Sequence, residues 1–165
     1  MRIRLPGAPL LPVVGTLLLL ACGGDKPAQA PAAAAPPAGS ELTAFQLEHG
    51  IGPVTEPIIL KAVDDDDSEE MAEAGKKLFE AKCVACHKMD ERYVGPALGG
   101  VTERRSPAYL MNMILNPDGM YAKHPEARKL LAEYMTQMPN LGVTQAEARD
   151  IVEYLRTQPT STAGK

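Results

Sequence analysis

Apolar side chains return at helical spacing in four stretches of this chain, and no stretch alternates long enough to make a convincing strand. In SEEMAEAGKKLFEAKCVACH, Met71, Ala74, Leu78 and Phe79 fall on one face. Ser68 or Asp67 is placed to cap that helix, with Glu69 and Glu70 at its positive end. Gly75 interrupts it at a cost of up to about 1 kcal/mol relative to Ala, which implies a close approach by another helix. VTQAEARDIVEYLRTQP carries a capping box, Thr144 with Glu147, then a stripe of Ala148, Ile151, Val152 and Leu155, and Pro159 stops it. Two shorter helices are predicted between these. SPAYLMNMILNP starts at Ser106-Pro107 and ends before Pro117; HPEARKLLAEYMTQM runs into Met138-Pro139 with Leu130, Leu131 and Tyr134 at helical spacing. The fold class is all-α.

Residues 1–21 follow a different pattern. Arg2 and Arg4 precede an apolar run that ends Leu17–Leu20, the order of an export signal, and Pro9, Pro12 and Gly15 break it too often for a spanning helix. Leu19-Leu20-Ala21-Cys22 resembles the lipobox of bacterial lipoproteins, which implies cleavage before Cys22 and lipidation of its thiol. Acyl chains there add about 0.8 kcal/mol per buried methylene. The Pro/Ala-rich residues 22–40 read as a tether, 41–65 as an N-terminal extension of uncertain structure, 66–158 as the folded domain, and 159–165 as a tail.

Charge narrows the partners. Net charge is −4, and removing the two leader arginines makes it two units more negative, which argues against nucleic acid. The run Asp64–Asp67 with Glu69 and Glu70 is a solvated stretch that favours the helix start, or a patch that steers a basic partner. The domain lacks Trp and has few other aromatics. At this size a core of side chains alone is marginal, and a prosthetic group is one remedy.

The candidate chemistry sits in Cys83-Val84-Ala85-Cys86-His87. With Cys22 assigned to lipid, Cys83 and Cys86 are the remaining cysteines. A structural zinc site needs four ligands, and beyond this motif the chain offers His49 and His124. A thioredoxin-like pair belongs between a strand and a helix, whereas this one has helices on both sides. C-x-x-C-H is the attachment motif of c-type haem: two thiols on one helical edge for the vinyl groups, and the adjacent imidazole for the iron. For the second axial ligand the candidates are Met111, Met113, Met120, His124, Met135 and Met138. Met138 stands out because MPNLGVT is irregular, and a loop side chain turns inward without having to fit a helix face. Met135 is the fallback. His124 reads as an exposed residue near a helix start, and His49 as an exposed structural one.

The chain resembles class I cytochrome c over about residues 68–157. GKKLFEAKCVACH is similar to the first helix of that family, VGPALGGV to its G-P-x-L segment, YLMNMILNP to the helix flanking the haem, and MPNLGVTQAEARDIVEYL to the Met loop and last helix. The resemblance implies short helices wrapped around one covalent haem c, with the N- and C-terminal helices crossing. It implies thioethers at Cys83 and Cys86, iron ligation by His87 and Met138, and a carbonyl of Pro96 that fixes the His87 ring. The extension 41–65 departs from the family pattern; it packs over the haem edge or a partner, or is linker. The insert DGMYAKHPEARKLLAEYMTQ is longer than in the smallest members, and one use open to it is to cover a haem propionate.

His/Met ligation raises the reduction potential and leaves no iron position open. The expected function is one-electron transfer without bond chemistry, in a membrane-associated respiratory chain of the bacterial envelope. The protein is expected on the periplasmic face, held by Cys22, with redox proteins as partners and no small-molecule substrate. The alternatives are a non-catalytic haem subunit of an oxidase or reductase, or a gas-binding or peroxidatic haem protein. LTAFQLEHGIGPV resembles lipoprotein cytochromes associated with nitrous oxide respiration.

Overall fold

The computed structural model describes residues 41–60 and 65–160. The leader, Cys22, the tether, Asp64 and most of the tail lie outside the described residues. Among the described residues there are helices and no strands: α1 (Ala44–His49), α2 (Asp66–Lys82), α3 (Val101–Arg104), α4 (Pro107–Leu115), α5 (Pro117–Lys123), α6 (Pro125–Tyr134) and α7 (Gln145–Arg156).

The crossing of α2 and α7 is the most extensive contact between elements. Gly75 makes it possible: a Cβ there would lie 1.9 Å from the carbonyl oxygen of Asp150. One turn on, the Phe79 and Tyr154 rings meet at 5.3 Å. The predicted α7 stripe of Ala148, Ile151, Val152 and Leu155 is buried, and the Thr144/Glu147 capping box is present. Glu153 is buried on the same helix, where Arg149 and Arg156 neutralise it from one turn either side.

α2 begins earlier than its sequence suggests. Its N-cap is Asp65, and Asp66, Asp67 and Glu69 occupy the first turn. Carboxylates favour the positive end of a helix dipole, so the acidic run extends the helix, whereas Ser68 or Asp67 was expected to cap it. α4 starts at the predicted cap, Ser106, whose hydroxyl accepts from the Tyr109 N–H. α6 stops at Tyr134, one turn before Met138, because Met135 takes a left-handed conformation (φ 52°).

The extension is a built part of this unit. α1 has its own capping box, Thr43 with Gln46, and it packs on α4. The fully buried Asn112 side chain donates to the carbonyls of His49 (3.0 Å) and Val54 (2.9 Å), and accepts from the Val54 N–H (3.0 Å). Asn116 donates to Ile51 O, and the Met120 sulphur accepts from the Ile51 N–H at 3.1 Å. None of residues 41–60 reaches the cavity described below.

Candidate haem site

α2 delivers the two cysteines. Cys83 caps its C-terminus, and its carbonyl accepts from both the Cys86 N–H (3.0 Å) and the His87 N–H (2.9 Å). The motif is therefore one further turn, with Cys83 and Cys86 three residues apart on one edge. Both thiols are free and both line a cavity of about 440 Å³. Burial pushes the Cys83 thiol up to about 11, against the opposing pull of Lys82. That is the reverse of the lowered value that makes a redox thiolate. Among the described residues no cluster of three His, Cys, Asp or Glu exists to hold a metal ion on its own.

The loop after His87 folds back to hold the ring. Gly95 N–H donates to Cys86 O at 2.8 Å, and Leu98 and Gly99 donate to Lys88 O and Met89 O. Pro96 is thereby set with its carbonyl 3.0 Å from His87 Nδ1, which donates to it and leaves Nε2 as the lone-pair nitrogen. Burial lowers the His87 pKa and the Pro96 bond partly opposes this, so the neutral imidazole is favoured. Gly95 admits no side chain here, since a Cβ would lie 2.5 Å from His87 Cε1.

The far wall comes from the insert and the loop behind it, with Tyr121, Leu130, Tyr134 and Met138 among the lining residues. Of the six candidates for the second ligand, Met113 and Met138 line the cavity. Met135, the fallback, is 82 % exposed and turned out by its left-handed backbone. Met111 and Met120 are buried elsewhere, Met120 with its sulphur on Ile51.

His124 corrects the sequence expectation of an exposed residue. It is 1 % exposed, and its two nitrogens bridge elements: Nδ1 accepts from the Glu126 N–H, and Nε2 donates to Leu47 O at 3.1 Å. It caps α6 and lies under α1. His49 is corrected too: its side chain is 12 % exposed, and Nδ1 pairs with the Ser106 hydroxyl at 2.8 Å. In both cases a partner more than fifty residues away in sequence supplies the burial.

The lining fits a flat apolar group with an anionic end. It is dominated by Phe79, Leu98, Val101, Leu110, Ile151 and Leu155. Tyr109 lines the cavity, and its buried hydroxyl has no hydrogen-bond partner among the described residues. Arg104 and Arg105 line the same region. Tyr109 and the two arginines were not singled out from the sequence; the basic pair before the α4 cap was the available signal.

Residues 72–159 match the family described as Cytochrome c. A cytochrome c from Rhodothermus marinus superposes with a TM-score of 0.61 at 43 % identity, covering 67 % of this chain and 92 % of that one. A cytochrome c-553-like protein of Synechocystis is 26 % identical over 87 residues, 52 % of this chain and 68 % of that protein. The cytochrome c subunit of the bc1 complex of Mycobacterium leprae is 38 % identical over 65 residues, but the match spans only 22 % of that subunit and 38 % of this chain. The chain belongs to the cytochrome c family, as an electron carrier with one covalently attached haem c.

Proposed function

We propose that this protein is a one-electron carrier of a membrane-associated respiratory chain, its haem linked through Cys83 and Cys86 and its iron held by His87 and Met138. The observation that supports this best is the meeting of both thiols, the Pro96-oriented imidazole and the Met138 loop on one apolar cavity. The haem supplies a ferric/ferrous couple when bound. The polypeptide's part is to orient and to exclude water: Pro96 keeps the His87 ring in one tautomer, and α3, α4 and α7 keep solvent from the buried faces. With His87 and Met138 both in place no position is open to substrate, so the reading is electron transfer without bond chemistry, at a potential raised by the thioether.

The envelope location rests on the sequence of the leader. Lipidation at Cys22 would hold the carrier on the periplasmic face of the membrane, near membrane-bound redox proteins, and raise its effective concentration there. Among the described residues no helix is long and apolar enough to cross a membrane.

Absorption spectra of the purified protein test the proposal. The ferric protein is expected to show the charge-transfer band of thioether ligation, and the ferrous protein is expected to resist carbon monoxide. Met138→Ala should lose the band and bind the gas readily. A band that survives Met138→Ala would move the ligand to Met113, the other methionine on the cavity. Ready gas binding by the unmodified protein would favour sensing or catalysis instead.

A further inference from the structure

The loop that carries Met138 packs Met138, Leu141 and Val143 against the core, but few hydrogen bonds fix its backbone. It leaves α6 at the left-handed Met135 and does not re-enter a helix until Gln145. Among the described residues, three hydrogen bonds tie its stretch from Thr136 to Val143 to other elements. Lys82 Nζ donates to Leu141 O at 3.5 Å and Asn140 donates to Leu115 O at 3.4 Å, both exposed and near the limit of a hydrogen bond. The third is of ordinary length and part-buried: the backbone N–H of Met138 itself donates to the phenolic oxygen of Tyr121 at 3.0 Å.

Tyr121 is a rigid place to tie to. It sits on α5, whose N-cap Asn116 accepts from the Gly119 N–H and donates to Ile51 O. The preceding residue, Met120, is fully buried. Arg128 of α6 donates to the carbonyls of Tyr121 and Ala122, closing the α5–α6 corner. The ring lines the cavity, and the hydroxyl, having accepted from Met138, still has its own proton to donate.

We propose that Tyr121 is the positioning residue for the axial thioether: it clamps the ligand loop at the residue that supplies the sulphur. This rests on the reading of Met138 as iron ligand. A ligand on a loose loop is displaced more easily by a competitor, because each departure costs less reorganisation. The clamp makes Met138 return to one place.

The test uses ferric holoprotein and imidazole, which competes with Met138 for the iron. Tyr121→Phe keeps the ring and removes only the oxygen, and should raise imidazole affinity roughly three- to tenfold, the worth of one hydrogen bond. Its charge-transfer band should remain. Tyr134→Phe is the control, a second phenol on the cavity with no bond to the loop. A change below twofold in Tyr121→Phe, or an equal rise in Tyr134→Phe, overturns the proposal even if Tyr121→Phe is less stable. Met138→Ala separates the two readings. Loss of its band with an unresponsive Tyr121→Phe sinks only the clamp, whereas a surviving band sinks the ligand assignment and the clamp with it.

Discussion

Replacing Gly75 by alanine sets two effects of opposite sign against each other. By helix propensity alone the change should stabilise α2 by about 1 kcal/mol. At the crossing with α7, however, the new methyl would stand 1.9 Å from Asp150 O, 2.4 Å from Asp150 C and 2.9 Å from Ile151 N. All three are backbone atoms, so no rotamer change relieves the overlap. Ordinary C···O contacts lie at ~3.3–3.6 Å, so the helices must separate by more than an ångström at this point. A gap of ~0.5–1 Å forfeits a quarter to a half of each contact's attraction, and Phe79, Tyr154 and Ile151 lie along the same seam. Overpacking of this kind costs ~1–3 kcal/mol and occasionally more. The upper part of that range applies, which leaves a net loss of about 2 kcal/mol after the propensity gain. In a domain of this size that lowers the melting temperature by ~8–16 °C, measurable by far-UV circular dichroism on the ferric holoprotein. Equal or greater stability of Gly75→Ala would refute the steric account of this glycine.

Two further outcomes are expected. Asn112→Ala strands the carbonyls of His49 and Val54 and the Val54 N–H. At ~1–3 kcal/mol per buried orphan, softened by water entering, a loss of about 3 kcal/mol follows. Hydrogen exchange should rise across residues 41–60 while the haem spectrum holds, since Asn112 does not line the cavity. Cys22→Ala should shift the protein from the membrane to the soluble fraction of its host; membrane association that persists would require a different anchor.

Local chemistry was readable from the sequence at several element ends. The Ser106-Pro107 start of α4 and the Thr144/Glu147 box of α7 are short-range devices, and both are where the spacing puts them. The use of Gly75 was legible as well, because a costly glycine in a helix needs a reason. The CVACH turn identified the cofactor, and Pro96 came through the family resemblance. What could not be read depends on distant partners. Asn112 looks like an unremarkable polar residue in an apolar helix until the extension folds over it, and His124 looks exposed until Leu47 covers it. The end of α6 was also missed, since no glycine marks Met135, where the helix turns left-handed. The α1 capping box, by contrast, was a readable signal in Thr43 and Gln46 that the uncertain extension hid.

The cavity between the CVACH turn and the Met138 loop has a consequence for biogenesis. Phe79, Leu110, Ile151 and Leu155 turn apolar surface onto it, and such surface contributes to stability, at ~25 cal/mol per Å², only once it is covered. A polypeptide that wraps its core around a covalently attached group gains part of its stability only when that group is in place. Maturation then becomes a checkpoint: chains that miss the attachment step stay open to proteolysis, and the folded pool counts completed cofactor insertions.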